Sequence, residues 1–120
     1  MRLLCCAALC AIILSAATVS GRWHGTATYV VNGTKQTSGI YLSLTQTGPK
    51  ITGTANEPVG NKVTPTPIEN GKVAGKTVSF TAVLNNIPET FELNMVDANS
   101  MSGKMTGGGK TANVQVRLDK

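Results

Sequence analysis

From residue 21 onward, apolar and polar side chains alternate in short runs, and turn residues interrupt the alternation. In residues 38–46, for example, Ile40, Leu42 and Leu44 fall on one face while the residues between them fall on the other. A repeat of two is that of a β-strand with one buried face, whereas an amphipathic helix repeats about every 3.6 residues. No stretch of this part of the chain shows the helical repeat, so an all-β fold is predicted.

Eight such runs are separated by turn signals, and most of the connections are short enough to be hairpins. The predicted strands are 23–31, 38–46, 51–56, 67–73, 77–84, 90–96, 101–106 and 110–118. Apolar parity switches between Ile68 and Val73, which indicates a β-bulge in the fourth strand. Consecutive hairpins predict an eight-stranded antiparallel up-and-down barrel, since closure buries the apolar faces and removes the sheet edges. A two-sheet β-sandwich is the alternative, because loop 57–66 is long enough for a crossing connection.

Residues 1–20 are typical of a cleavable signal peptide. Arg2 provides the positive n-region, residues 3–14 are an unbroken apolar run, and residues 15–17 supply the small side chains that signal peptidase reads. This run is shorter than the roughly 20 apolar residues that a membrane-spanning helix needs. We expect cleavage after Ala17 or after Ser20, a single barrel domain at 21–120 that is secreted or periplasmic, and no stable membrane anchor after cleavage.

All three cysteines, Cys5, Cys6 and Cys10, lie in the expected signal peptide. The mature chain would then have no disulfide, no thiolate metal site and no cysteine nucleophile. A zinc site would have to combine one histidine with carboxylates, because His24 is the only histidine. We therefore expect no metal and no cofactor.

The formal net charge of the chain is +5, and its lysines and arginines are spread singly. Proteins that bind nucleic acid usually gather such residues on one face or place aromatic side chains among them. We therefore expect no nucleic-acid partner. Lysines at turns and strand edges favour solubility and protect the edges from unwanted pairing.

Catalysis would need a base beside a nucleophile, or two carboxylates that share a site. Strand parity turns His24 away from the face on which Trp23 lies, and so outward. The acids fall mostly in loops or at outward positions, with none sharing an inward face: Glu57, Glu69, Glu89, Glu92, Asp97 and Asp119. We therefore expect no catalytic residue and no enzymatic activity.

The motif Asn32-Gly33-Thr34 fits two patterns. It matches the acceptor sequence for N-glycosylation, and its first two residues are a strong signal for a type I′ hairpin turn. The hairpin is the preferred interpretation.

Gly21-x-Trp23 at the start of the first strand and Arg117 on the last strand resemble the calycin superfamily of lipocalin- and avidin-type barrels. Residues 51–61 also look like a strand and loop of the avidin type, and most of residues 21–118 is similar to small bacterial exported domains. The resemblance implies that Gly21, Trp23 and Arg117 close the seam between the first and last strands. The Arg117 guanidinium would then pack on the Trp23 ring.

Two functions fit a barrel of this kind. One is a lipocalin-like carrier of a small apolar molecule, with inward aromatic side chains as candidate ligand contacts: Trp23, Tyr29, Phe80 and Phe91. The other is an exported, non-enzymatic module that recognises its partner, such as a protein, through rim loops 57–66 and 107–109. Short strands with large inward side chains predict a filled interior, so recognition through the rim is the preferred interpretation and the carrier is the alternative.

Overall fold

The computed structural model describes residues 18–58 and 64–119. Residues 1–17 of the expected signal peptide and the middle of loop 57–66 lie outside the described residues. Within the described ranges, no helix has the length and apolar character needed to cross a membrane. The strands are β1 (Gly21–Val31), β2 (Thr34–Thr47), β3 (Lys50–Asn56), β4 (Thr66–Pro67), β5 (Glu69–Ala74), β6 (Thr77–Leu84), β7 (Ile87–Asp97), β8 (Ser100–Gly107) and β9 (Lys110–Leu118).

The sheet closes on itself as an eight-stranded antiparallel barrel. Strands β1 to β3 form one meander and β5 to β9 form another, and β3 pairs with β5 to join them. The pairing of β1 with β9, from Trp23 opposite Leu118 to Thr28 opposite Asn113, completes the ring. The all-β barrel prediction is therefore confirmed, and the two-sheet alternative is wrong because no edge separates two sheets among the described strands.

The predicted fourth strand is divided into β4 and β5, and both pair with β3. Ile68 lies between them and stays in the sheet, because its N–H donates to the Gly53 carbonyl at 3.0 Å. The pairing of β5 with β6 shifts between Glu69 and Lys72, and Asn70 takes a φ of 55° there. This irregularity confirms the predicted bulge and turns Ile68 toward the interior.

The hairpin between β1 and β2 has the conformation that its sequence predicts. Asn32 and Gly33 have φ values of 52° and 81°, and Val31 pairs with Thr34 across them. Two consecutive positive φ angles define the type I′ turn, which Asn-Gly adopts readily. The hairpin interpretation is confirmed.

The barrel has two ends of different construction. At the closed end, where β1 begins and β9 ends, Val19 is fully buried and Trp23 is 1% exposed. The indole N–H of Trp23 donates to the Val19 carbonyl at 2.9 Å, and the Val19 N–H donates to Gln46 Oε1 at 2.9 Å. The chain before β1 therefore folds over this end. At the opposite end, which we call the open end, lie the turns that join β1 to β2, β6 to β7 and β8 to β9.

The structure corrects the expected packing of Arg117 on Trp23. Strands β1 and β9 are neighbours, but Trp23 lies opposite Leu118 while Arg117 lies opposite His24. Trp23 points into the barrel, and Arg117 is exposed on its outer face. The position of Arg117 in the alternation places it outside, and the Leu118 side chain packs over Gly21 instead.

Candidate functional site

The open half of the barrel contains a cavity of about 240 Å³. Inward residues of six strands contribute to its wall, together with the two residues that follow β3. One part of the wall is apolar and comprises Leu84, Ile87, Met105, Ala112 and Pro58. The rest carries polar side chains or bare backbone and comprises Tyr29, Ser38, Glu57, Asn85, Glu89, Gly107, Gly108 and Lys110.

The cavity exists because inward side chains differ in size between the two halves of the barrel. Large side chains fill the interior beside the cavity, where the rings of Phe80 and Phe91 stack with their centroids 4.6 Å apart. In the open half, Ser38, Gly107 and Ala112 leave space along the wall. An eight-stranded barrel is just wide enough to be filled by side chains or to hold one small ligand. The expected filled interior is therefore wrong where this cavity lies and correct for the buried core beside it.

Glu89 of β7 is the most buried acidic side chain in this cavity, with 8% of its surface exposed. The neighbouring strand makes room for its carboxylate by presenting Gly107. A methyl group at that position would lie 2.8 Å from the carboxyl carbon of Glu89. Among the described residues, Glu89 forms no ion pair. Burial, followed by the charge of Glu57, raises the pKa of Glu89 above its ordinary value of 4.5.

Glu57 lies across the same cavity, just after β3, and is half-buried. Burial raises the pKa of its carboxyl, and a hydrogen bond from the Ser38 hydroxyl partly opposes that rise. The Ser38 hydroxyl in turn lies 3.5 Å from the hydroxyl of Tyr29. Two carboxylates and two hydroxyls therefore border the same cavity, and burial disfavours the charge on both acids.

Only part of the predicted site is found at this cavity. Tyr29 lines the cavity, whereas Trp23, Phe80 and Phe91 are buried in the core and are not part of the cavity wall. Of the predicted rim loops, the first two residues of 57–66 and the turn at 107–108 contribute to the wall, and residues 59–63 lie outside the described residues.

The expectation that no acids share an inward face is wrong, because Glu57 and Glu89 both line the cavity. Strand parity contains the signal for both. Glu89 stands two residues before the inward Phe91, and Glu57 stands two residues after the inward Ala55. The predicted strands end one position short of each acid, so the alternation does not reach them.

His24 lies away from the cavity, as its parity predicts. It is exposed on the outer face, forms an ion pair with Asp119 and stacks on Tyr41. Within residues 18–58 and 64–119, no three His, Cys, Asp or Glu side chains are grouped so that they could hold a metal ion. A second depression, of about 340 Å³, adjoins the cavity and shares Glu57, Leu84 and Asn85 with its wall.

Replacing the Glu89 carboxylate by an amide (E89Q) is expected to raise the melting temperature of the unliganded protein at pH 7. The raised pKa means that the folded chain holds this proton more tightly than the unfolded chain, in which the pKa is near 4.5. The ionised carboxylate therefore destabilises the fold above its folded-state pKa, and the penalty disappears as the pH falls to about 4. Melting curves of both proteins should converge there. A difference that is independent of pH would show that Glu89 is not destabilised by its charge.

Comparison with known proteins identifies the fold and leaves the family open. No protein-family model matches the chain. No curated protein matches it either. Among solved structures, the chain is similar to a point mutant of the fluorescent protein UnaG, with a TM-score of 0.52 over 85% of this chain and 96% of that chain. The sequence identity is 12%, so the likeness concerns the fold alone. It agrees with the antiparallel β-barrel that the strand pattern predicts.

Proposed function

We propose that this protein is an exported, non-enzymatic binding protein that holds one small molecule in the cavity at the open end of its barrel. The observation that carries the proposal is the cavity itself, in which a mostly apolar wall surrounds a few converging polar groups, as in most small-molecule sites. Pockets for drug-sized ligands have volumes of about 300–1,000 Å³. A cavity of about 240 Å³ therefore suits a smaller molecule.

The cavity changes which of the two functions considered in the sequence analysis is preferred. Binding in the interior becomes the preferred function, and recognition of a protein through the rim becomes the alternative. The rim still takes part, because Pro58 and Gly108 border the mouth of the cavity. Loops on a rigid scaffold commonly supply such contacts.

The arrangement of the polar groups supports binding over catalysis. The Ser38 hydroxyl contacts the hydroxyl of Tyr29 at 3.5 Å, whereas a serine nucleophile is usually activated by an imidazole or an amine. The only imidazole of the chain, that of His24, is engaged with Asp119 on the outer face.

Filling the cavity is the direct test of this function. Ala112 is buried in the wall, so the ring of Ala112→Phe should occupy the space and abolish binding, while Thr111→Phe places the same ring outside on the same strand. The probes are benzylamine, benzyl alcohol and benzoate, and the measurement is the change in amide NMR resonances during titration. At least one probe should shift the resonances of Tyr29 and Met105 in the unmodified protein and in Thr111→Phe, but not in Ala112→Phe.

Two results would reject interior binding. One is the absence of shifts with all three probes. The other is equal shifts in both variants, which would place the contact on the surface. Either result would make recognition of a protein through the rim the better explanation.

A further inference from the structure

We propose that the molecule held in the cavity is a small organic monocation, a primary amine with a compact apolar body whose ammonium group lies between Glu57 and Glu89. This inference rests on the proposed function and specifies its ligand class. It follows from the placement of two carboxylates in one small cavity, one of them nine-tenths buried and aimed into the space.

Glu89 has a specific need for a cation. A buried charge is costly unless it is paired, and removing water from a carboxylate costs several kcal/mol even after relaxation. Within the described residues no cation pairs with Glu89. The absence of a side chain at Gly107 leaves room for the Glu89 carboxylate, because any side chain there would clash with it. The described residues thus give this buried acid no cationic partner, and a group that costs stability is often retained where it serves function.

Lys110 does not supply the missing charge. It lies at the mouth of the cavity and is exposed, and no ion pair among the described residues joins it to Glu57 or Glu89. With both carboxylates ionised and Lys110 charged, the described residues of the lining carry one net negative charge. A monocation would neutralise this charge, whereas an anion would add to it.

The wall of the cavity selects an organic cation over a metal ion. Calcium takes about six to eight oxygen ligands, and zinc prefers nitrogen and sulfur in a tetrahedral set. Among the described residues, no three His, Cys, Asp or Glu side chains are grouped so that they could hold a metal ion, and the carboxylates share the cavity with the side chains of Leu84, Ile87 and Met105. An ammonium group donates three hydrogen bonds, and the two carboxylates and the hydroxyls of Ser38 and Tyr29 can accept them. The apolar side chains would cover the rest of such a molecule.

Binding of an amine in this site should depend on pH in one direction. The ionisable groups that line the cavity with Glu89 are Glu57, Tyr29 and Lys110. Protonation of the carboxylates removes the attraction for the ammonium, so affinity falls as the pH is lowered. Since burial raises the pKa of both acids above 4.5, the loss begins at a higher pH than for exposed glutamates.

The test is a calorimetric titration at pH 7 with benzylamine, benzyl alcohol and benzoate, which share a ring and differ in charge. Benzylamine should bind most tightly and benzoate least. E89Q should lower the affinity for benzylamine by about tenfold to a hundredfold, the range expected for a lost hydrogen bond to a charged group. E92Q removes the same charge from the exposed face of the same strand and should leave the affinity unchanged within a factor of about two.

Each contrary result has a distinct meaning. Benzyl alcohol that binds as tightly as benzylamine, and is lost in Ala112→Phe, would overturn the amine and leave the proposed function intact. Benzylamine binding that E89Q does not weaken would also overturn it. Calcium that binds and displaces benzylamine would reassign the two carboxylates to a metal. Failure of all three organic probes would overturn the amine and interior binding together.

Discussion

Trp23→Ala is expected to lower the free energy of unfolding by about 3–5 kcal/mol, the usual range for removing a large buried aromatic side chain. Trp23 is 1% exposed and fills the closed end of the barrel, and its indole N–H hydrogen-bonds to the Val19 carbonyl. The substitution would open a cavity at that end and would also release the chain before β1. Because a domain of this size has only about 5–15 kcal/mol in total, much of its stability would be lost.

Urea or thermal unfolding would measure the effect, and two further variants make it specific. Trp23→Phe keeps a ring but loses the N–H donor, so it should cost less than the alanine variant and remain folded. Arg117→Ala should change stability by no more than about 0.5 kcal/mol, because Arg117 is exposed on the outer face. Its effect should add to that of Trp23→Ala, since the two side chains share no contact. If the stability effects of the two substitutions were strongly non-additive, the result would support the predicted stacking of Arg117 on Trp23.

The barrel could be predicted from the sequence because its determinants are local and repeated. Alternation fixes which side chains are buried on each strand, and turn residues such as Asn32 and Gly33 fix where the hairpins lie. Two predicted strands, 77–84 and 110–118, agree with β6 and β9 at both ends. The others differ mainly at their termini, where one face meets solvent and the apolar pattern fades.

The site could not be predicted in the same way, because it lies at the strand ends where the pattern is weakest. An apolar pattern identifies inward positions only while the inward side chains are apolar, and Glu57 and Glu89 break it. The volume of the cavity is even harder to predict from the sequence. It depends on the small residues Ser38, Gly107 and Ala112, which come from different strands and are brought to one cavity only by the fold. Composition alone favours a filled interior, because it counts side chains without locating them along the barrel axis.

The start of the domain illustrates the same limit. The signal-peptide pattern leaves two cleavage sites open, after Ala17 and after Ser20, since small residues precede both. Packing distinguishes them. Val19 is fully buried, and Ser20 Oγ accepts a hydrogen bond from the Gln46 N–H at 2.9 Å. Cleavage after Ser20 would therefore remove residues that belong to the folded barrel.

A mature chain that begins at Thr18 is expected to be more stable than one that begins at Gly21, by up to about 3 kcal/mol. Burial of a valine side chain contributes about 1.5–3 kcal/mol. Loss of the Val19 carbonyl would leave the Trp23 N–H without its acceptor, which costs about 1–3 kcal/mol for a buried donor. The cost of ordering three residues at the chain terminus offsets part of this gain.

Two measurements test this expectation, and one variant separates the contribution of the Val19 side chain from that of its carbonyl. If the expected signal peptide is cleaved, intact-mass analysis of the processed protein should give a chain that begins at Thr18, and a chain that begins at Gly21 would contradict it. Urea unfolding of the two purified chains should show the stability difference directly. Val19→Ser in the longer chain keeps the carbonyl that accepts the Trp23 hydrogen bond but removes the apolar side chain. It should therefore lie between the two chains in stability, and a value equal to that of the longer chain would show that Val19 contributes through its backbone alone.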